Sequence, residues 1–418
     1  MQPFRVLSFD GGGSWALIQV KALIALYGSD AGGHQVLSHF DLAAANSGGS
    51  IVLGCLIEDF SLQQILDFFN NEGQRKAVFS KSDWIGDRVL NDLVGIGPRY
   101  SAENKLPALQ HVLAKRGNMT LPEAVADIPG AQGGLHALIV AFDYDRNRAA
   151  FFRSRTVQGP SWGCGAKAQV TLAEVIHAST NAPVNYFDGP AIFPDRGGRY
   201  WDGAITGCNN PVLAAVTEAI GLGQDPHNIV ALSIGTANNV LPWGQANDPP
   251  SLYTQPVPEA SLKTDIKKLA SSVLDDPPDA ATFVAHVMTG CGAGLDPAVS
   301  GSRIVRMNPL VAPRRAPAGA ADPWCPPAGL TAAQFKYIFS LDMDAVETAQ
   351  VFAVSYFADL WVNDQVLNQP IRMDADTLKC ELGQDTFSAA LEAWRKISAA
   401  APAPPAPSTA STADVGTR

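Results

Sequence analysis

Residues 41–57 read DLAAANSGGSIVLGCLI, and this stretch decides the fold. A short apolar run over 41–45 stops at Asn46-Ser47-Gly48-Gly49, and a second apolar run over 50–57 follows it. The pattern predicts a buried strand, a sharp turn and a buried helix. A serine on such a turn is typical of a nucleophile elbow, where the following helix N-terminus favours developing negative charge. The competing interpretation of Ser47 is a helix N-cap.

A similar unit lies at the start of the chain. The apolar run from Phe4 to Phe9 ends in Asp10-Gly11-Gly12-Gly13, and residues 15–27 have helical spacing. Consecutive glycines after a strand leave backbone N–H groups that can hold the oxyanion of a tetrahedral intermediate. The alternative is a phosphate-binding loop, but the Lys-Ser/Thr pair of a P-loop is missing and Ala16 interrupts the dinucleotide-binding pattern.

Further strands and helices alternate along the chain. We predict strands over 135–142, 148–153, 198–201 and 228–234, and helices over 171–179 and 212–220. The first two of these strands pair antiparallel, and Thr171 with Glu174 forms a capping box. The order of the elements predicts an α/β fold with three layers.

The remaining segments suggest how the chain is divided. Residues 1–236 form the core, in which 60–135 are a helical insertion over one end of the sheet. Residues 237–398 combine loops rich in Pro, Gly and Ala with helices at about 261–275, 278–290 and 331–398. The Pro-rich stretch 309–329 is a candidate rim over the site, together with 60–135. Residues 399–418 contain Ala, Pro, Ser and Thr without periodicity, which is typical of a disordered tail.

Composition excludes several classes of function. The net charge of −10, without a dense Lys/Arg run, offers no surface for nucleic acid. The six cysteines lack metal-ligand spacing, so we expect free thiols in a reducing compartment. The N-terminus has no signal-peptide pattern, and no apolar run reaches the length of about 18 residues that a membrane span needs. We therefore expect a cytoplasmic protein, with non-classical secretion left open.

Asp202 is the candidate base. It follows a predicted strand and precedes Gly203-Ala204. A buried carboxylate becomes a stronger base, which an activated serine requires. The competing interpretation of Asp202 is an Asx turn that closes the strand. In the order Ser, Asp, His of α/β-hydrolases, His227 and His286 are the histidines that follow Asp202, so a triad esterase is an alternative.

Taken together, these elements resemble the patatin-like lipid acyl hydrolases over residues 4–236. The resemblance is carried by five blocks in the family's order, which are 6–13 (VLSFDGGG), 46–49 (NSGG), 173–187 (AEVIHASTNAPVNYF), 201–204 (WDGA) with 209–211 (NNP), and 230–236 (VALSIGT).

The resemblance implies a three-layer α/β/α fold with a mostly parallel central sheet, and a phospholipase A or lysophospholipase type of activity. It implies a Ser47–Asp202 dyad without histidine, which works through an acyl-enzyme. The oxyanion would be held by backbone N–H groups of Gly11, Gly12, Gly13 and Gly48. Neither a metal nor a cofactor is implied. The expected partner is a lipid or acyl-ester substrate, with transient contact to a membrane surface, while the oligomeric state stays open.

Three departures from the family pattern bear on the substrate. Ala45 and Ala16 replace glycines, and Trp15 replaces an Arg or Lys. We expect Trp15 to favour neutral or short-chain acyl esters over phospholipids. Phe187 and Trp201 are further candidates for contact with the acyl chain, as is Trp84. A non-catalytic lipid-binding or scaffold member of the same fold is a further alternative.

Overall fold

The computed structural model describes residues 2–78, 102–155, 170–183, 187–193, 198–243, 251–255, 279–291, 301–343, 345–374 and 376–399. Trp84, the predicted helix at 261–275 and the predicted tail after Ala399 lie outside these residues.

The described strands are β1 (Phe4–Phe9), β2 (Leu42–Ala45), β3 (Pro129–Gly130), β4 (Gly133–Gly134), β5 (His136–Asp143), β6 (Arg148–Arg153), β7 (Ala191–Ile192), β8 (Arg199–Asp202), β9 (Ile229–Ile234), β10 (Asn238–Asn239), β11 (Ile304–Met307), β12 (Leu310–Val311), β13 (Arg314–Arg315), β14 (Trp324–Cys325), β15 (Arg372–Met373) and β16 (Cys380–Leu382). Eight of them form one sheet in the order β11-β9-β1-β2-β5-β8-β7, with β6 on β5. Strands β11, β9, β1, β2 and β5 are parallel to one another. Strands β6 and β8 each pair antiparallel with β5, and β7 pairs antiparallel with β8.

The described helices are α1 (Leu17–Tyr27), α2 (Gly33–Leu37), α3 (Ser47–Ile57), α4 (Leu62–Asn70), α5 (Glu72–Val78), α6 (Lys105–Val112), α7 (Leu121–Val125), α8 (Leu172–Ser179), α9 (Val212–Gly221), α10 (279–288), α11 (Ala332–Phe339), α12 (Thr348–Val362) and α13 (Phe387–Ala399). Within the described residues, no helix has the length and apolar character needed to span a membrane.

Side chains on the two faces of the sheet enter two separate cores. In β1, Leu7 and Phe9 pack in a large core with α1, α3 and α8, whereas Phe4 and Val6 pack in a second core with α9 and α10. This division follows from the period of two along a strand, which sends alternate side chains to opposite faces. The predicted three-layer α/β/α fold with a mostly parallel sheet is confirmed.

Some predicted elements need correction. The helix after the serine turn begins at Ser47 and not at Ser50. The run 331–398 is three helices, and a hairpin of β15 and β16 separates the last two. Strand β11 has no counterpart among the predicted elements. It is short, and Arg306 in its middle breaks the apolar run that would have revealed a buried strand.

Candidate active site

Strands β2 and β8 end at the same place on one edge of β5. Strand β6 pairs with one edge of β5 along most of the length of β5, so β2 and β8 must both pair with the opposite edge. Ala45, the last residue of β2, pairs with Ile139, and Asp202, the last residue of β8, pairs with Ala141. Because β2 is parallel and β8 antiparallel to β5, their carboxyl ends point at each other. This topology brings Ser47 and Asp202 together although 155 residues separate them in sequence.

Ser47 lies on a strained turn between β2 and α3. Asn46 is extended, with φ −130° and ψ 148°, and Ser47 then adopts φ 48°, in the left-handed region. Its N–H donates to Ser179 Oγ at 2.9 Å, and its hydroxyl is hydrogen-bonded to the Asp202 carboxylate. Positive φ at a non-glycine residue is unfavourable and is concentrated at functional sites, which fits a nucleophile elbow.

The glycines after Ser47 let α3 approach the Gly11-Gly12-Gly13 loop. A Cβ atom on Gly48 would lie 2.4 Å from the carbonyl oxygen of Gly13, and one on Gly49 would lie 2.6 Å from that of Asp10. Both contacts are with backbone, which cannot move away cheaply. The turn therefore requires glycine at both positions. Ala45, by contrast, is an ordinary buried strand residue, so its methyl group is tolerated.

Asp202 is buried and heavily hydrogen-bonded. Its Oδ1 accepts from the Ala204 N–H at 2.9 Å and from Asn46 Nδ2 at 3.1 Å, and it also accepts from Ser47. Burial raises its pKa above the ordinary aspartate value of 3.8, while these hydrogen bonds and the charge of Lys105 oppose the rise. The carboxylate can accept a proton from Ser47 more readily than an exposed aspartate would.

Backbone N–H groups of the glycine loop lie against the serine turn. Within the described residues, the N–H groups of Gly12, Gly13 and Gly48 have no protein acceptor, and Gly13 lies next to Gly48. The N–H of Gly11 differs, because it donates to the Asn209 carbonyl at 2.9 Å. Gly11 therefore shapes the loop but has no N–H left for an oxyanion.

Strands β9 and β11 fix the base of this loop. Asp10 forms a buried ion pair with Arg306 of β11, with N–O distances of 2.9 and 2.5 Å. Thr236, after β9, donates its hydroxyl to the Gly11 carbonyl at 2.6 Å. The conformation of the loop thus depends on residues that are more than 200 positions away in sequence.

A cavity of about 520 Å³ opens beside the glycine loop. Its described lining includes Gly12, Trp15, Asn209, Asp342 and Met343. The Trp15 indole N–H donates to the Asp342 carbonyl at 3.0 Å, so the indole contributes apolar surface to the cavity.

The other aromatic candidates lie elsewhere. Phe187 is buried in a small cluster with Ala102, and the half-buried Trp201 packs on that cluster. The Phe187 ring is covered by Lys105, whose Nζ lies 3.6 Å from the ring centroid. Phe187 is therefore buried against protein, whereas Trp15 borders a cavity.

The structure places His227 and His286 away from Ser47. His227 precedes β9, and His286 contacts Ser302, which precedes β11. Both lie at the amino-terminal edge of the parallel strands, whereas Ser47 follows the carboxyl end of β2. A strand of six residues spans about 20 Å, which is too far for a hydrogen bond. The fold therefore does not place His227 or His286 to complete a triad with Ser47 and Asp202.

Sequence reasoning missed several residues that hold the site together. Asn46 bridges Asp202 and Asn209, and Ser179 holds the Ser47 amide. Lys105 lies buried beside the pair, although a lysine at the start of a helical stretch usually indicates a solvated face. Asn46 and Asn209 lie within the blocks 46–49 and 209–211, but nothing in their spacing predicts these contacts. No cluster of three or more His, Cys, Asp or Glu side chains in the described parts of the chain is placed to hold a metal.

The family model of patatin-like phospholipases matches residues 7–216, which is half of the chain. The chain belongs to the patatin-like phospholipase family, and so to the lipid ester hydrolases. No curated protein matches the sequence.

Among solved structures, the chain is similar to VipD from Legionella pneumophila, with 10% identity, a TM-score of 0.35, and coverage of 86% of this chain and 67% of VipD. It is also similar to human GIVD cytosolic phospholipase A2 in complex with methyl gamma-linolenyl fluorophosphonate, with 12% identity, a TM-score of 0.42, and coverage of 95% and 59%. The type III effector protein ExoU matches at 15% identity and a TM-score of 0.23, with coverage of 43% and 40%. The chain thus spans less than two thirds of the second and third of these proteins, and the family assignment rests on the family model.

Proposed function

We propose that this chain is a serine acyl hydrolase of the phospholipase A or lysophospholipase type, with Ser47 as nucleophile and Asp202 as base. The observation that carries the proposal is the hydrogen bond between the Ser47 hydroxyl and the buried Asp202 carboxylate, on a serine held at φ 48°. A nucleophile bonded to a base that is itself oriented by further hydrogen bonds is the arrangement that activates a serine.

Acylation would begin with transfer of the Ser47 hydroxyl proton to Asp202. The Ser47 oxygen forms a bond with the acyl carbonyl carbon, and the carbonyl oxygen becomes an oxyanion. The N–H groups of Gly12, Gly13 and Gly48 are the proposed donors to this oxyanion, helped by the N-terminus of α3. Asp202 then gives its proton to the leaving alcohol as the ester bond breaks, which leaves an acyl-enzyme.

Deacylation would reverse these roles. Asp202 takes a proton from water, the resulting hydroxide attacks the acyl-enzyme, and the same N–H groups hold the second oxyanion. The Ser47 oxygen leaves and regains the proton from Asp202, while the carboxylic acid product departs. One carboxylate therefore serves as base and acid in both halves of the reaction.

The test is ester hydrolysis by single variants. We expect Ser47→Ala and Asp202→Asn each to lower kcat by at least about 10³-fold, because either change removes the activated nucleophile. His227→Ala and His286→Ala serve as controls and retain activity, as does Ser38→Ala at a serine outside the site. Full activity of folded Ser47→Ala would overturn the assignment. A folded wild-type protein without activity on any ester would favour the non-catalytic alternative.

A further inference from the structure

Lys105 is completely buried, which is unusual for a lysine. It is the first residue of α6 and its exposed fraction is 0%. Lysine is almost never fully buried unless it is paired, because removing an ammonium group from water is costly. Its position therefore requires an explanation from the groups around it.

Asn181 connects Lys105 to the end of β8. Lys105 Nζ donates to Asn181 Oδ1 at 2.8 Å, and the Asp202 N–H donates to the Asn181 carbonyl at 3.0 Å. The Asn181 side chain is itself fixed, because its Nδ2 donates to the Gly189 carbonyl at 2.5 Å. One residue thus links the buried ammonium to the backbone of the proposed base.

The charged groups around Lys105 favour its charged form. The carboxylates of Asp202 and Asp188 both attract the ammonium, and the Phe187 ring offers a cation–π contact. His177 on α8 is also close, and burial and Lys105 both lower its pKa, which keeps it neutral. Burial lowers the pKa of Lys105 well below its ordinary range, and the two carboxylates oppose that effect.

We propose that Lys105 is a positioning residue that fixes the end of β8 through Asn181 and places its ammonium group beside Asp202, where it favours the ionised carboxylate. The inference rests on the proposed function, in which Asp202 must be a carboxylate to accept the Ser47 proton. Because Lys105 is fully buried, it acts on the base and not on the substrate. Its loss therefore changes the working pH and kcat and leaves KM unchanged.

Two substitutions separate the charge from the hydrogen bond. Lys105→Gln removes the charge and retains a donor for Asn181, whereas Lys105→Met removes both. We expect both variants to move the acid limb of kcat/KM upward, because Asp202 loses an attracting charge. Lys105→Met should also show the larger loss of kcat. The exposed Lys115, changed to Met, is the matched control and leaves the acid limb in place.

The effect of the Lys105 charge on Asp202 can also be measured without substrate, by infrared titration of the Asp202 carboxyl band. This band is identified by its absence in Asp202→Asn. Asp202 should titrate at higher pH in Lys105→Gln than in the wild type. Asp188→Asn leaves the core intact, since Asp188 is exposed and an amide oxygen can still accept the Ala102 N–H. In this variant Asp202 should titrate at lower pH, because Asp188 no longer competes with Asp202 for the charge of Lys105.

An Asp202 titration that is identical in the wild type and in a folded Lys105→Gln variant would overturn the proposal. If the Lys105 variants do not fold, an unmoved titration in Asp188→Asn would overturn it. Failure of the proposed function would give a different result. Ser47 would then stay unreactive toward a fluorophosphonate, while the Asp202 titration would still shift in the Lys105 variants.

Discussion

The φ angle of 48° at Ser47 has a cost that glycine would avoid. A left-handed conformation is about 1–2 kcal/mol less favourable for a residue with a Cβ atom, whereas glycine adopts it freely. Ser47→Ala and Ser47→Gly both remove the hydroxyl, so both should be inactive. We predict that Ser47→Gly is the more stable of the two by about 1 kcal/mol in urea unfolding. Equal stabilities would argue against strain at the turn.

The raised pKa of Asp202 sets the acid limit of the reaction. Burial raises this pKa above 3.8, and Asp202 must be deprotonated to accept the Ser47 proton. As the pH falls through the raised value, Asp202 becomes protonated and activity is lost. We therefore predict an acid limb of kcat/KM that lies above pH 3.8, measured on a neutral ester whose own charge is constant. A limb at or below that pH would contradict the role of Asp202 as the base.

Trp15 is the residue where we expect substrate preference to be decided. Its indole borders the cavity beside the glycine loop, and its N–H is already used by the Asp342 carbonyl. An apolar ring in place of a cation removes a partner for phosphate. We predict that Trp15→Arg raises phospholipid hydrolysis relative to neutral ester hydrolysis, in paired assays with one acyl chain. Trp15→Phe is the control, and an unchanged ratio in Trp15→Arg would refute the idea.

The two proposed reacting residues can be predicted from the sequence, but the residues around them cannot. Ser47 and Asp202 stand in short patterns of small residues next to apolar runs, which local reasoning can detect. Lys105 and Asn181 stand in ordinary polar positions of predicted helices and loops. Their importance arises only when the fold buries them beside β8. The hydrogen bond of the Gly11 N–H was likewise not predictable, because its acceptor, the Asn209 carbonyl, is distant in sequence.

At the level of elements, β11 links the glycine loop to the C-terminal part of the chain. The buried pair of Arg306 and Asp10 joins β11 to the end of β1. Removing one member of a buried pair leaves the other charge uncompensated, which costs about 3–5 kcal/mol. We predict a loss of that size in the free energy of unfolding for Arg306→Met, measured with urea.

Asp10→Leu combined with Arg306→Met should recover most of that loss, because no charge remains buried. Arg314→Met, at an exposed arginine of β13, is the control and should be near neutral. If Arg306→Met were as stable as the control, the pair would not anchor the loop.

Element prediction succeeded where apolar runs are long. Strands β1, β5 and β9 have six to eight residues that are mostly apolar, and their observed ends agree with the predicted ones within about one residue. Strand β11 has four residues with an arginine among them, and β15 and β16 are shorter still. Such strands are stabilised by partners that are distant in sequence, so their own pattern carries little signal.

On the scale of the whole molecule, residues after 236 complete the fold. Strand β11 covers the edge of β9, α13 packs on both strands, and α12 packs on α1 and α4. Without them, β9 would present an open edge and α1 an apolar face. We predict that a chain of residues 1–236 does not unfold cooperatively on heating, as followed by circular dichroism.

A chain of residues 1–399 is the matched comparison, because it retains α13 and lacks only the predicted tail. It should unfold at the same temperature as the full chain. Cooperative unfolding of 1–236 at the wild-type temperature would show that the C-terminal part only covers a core that is complete without it.

The proposed reaction requires that Ser47 is a nucleophile activated by Asp202. Labelling of the folded full chain with a fluorophosphonate, followed by peptide mapping, tests it most directly. We expect one label, on Ser47, which is lost in Ser47→Ala and strongly slowed in Asp202→Asn, while His286→Ala is labelled like the wild type. An unlabelled Ser47 in folded protein, or equal labelling rates in the wild type and Asp202→Asn, would contradict it.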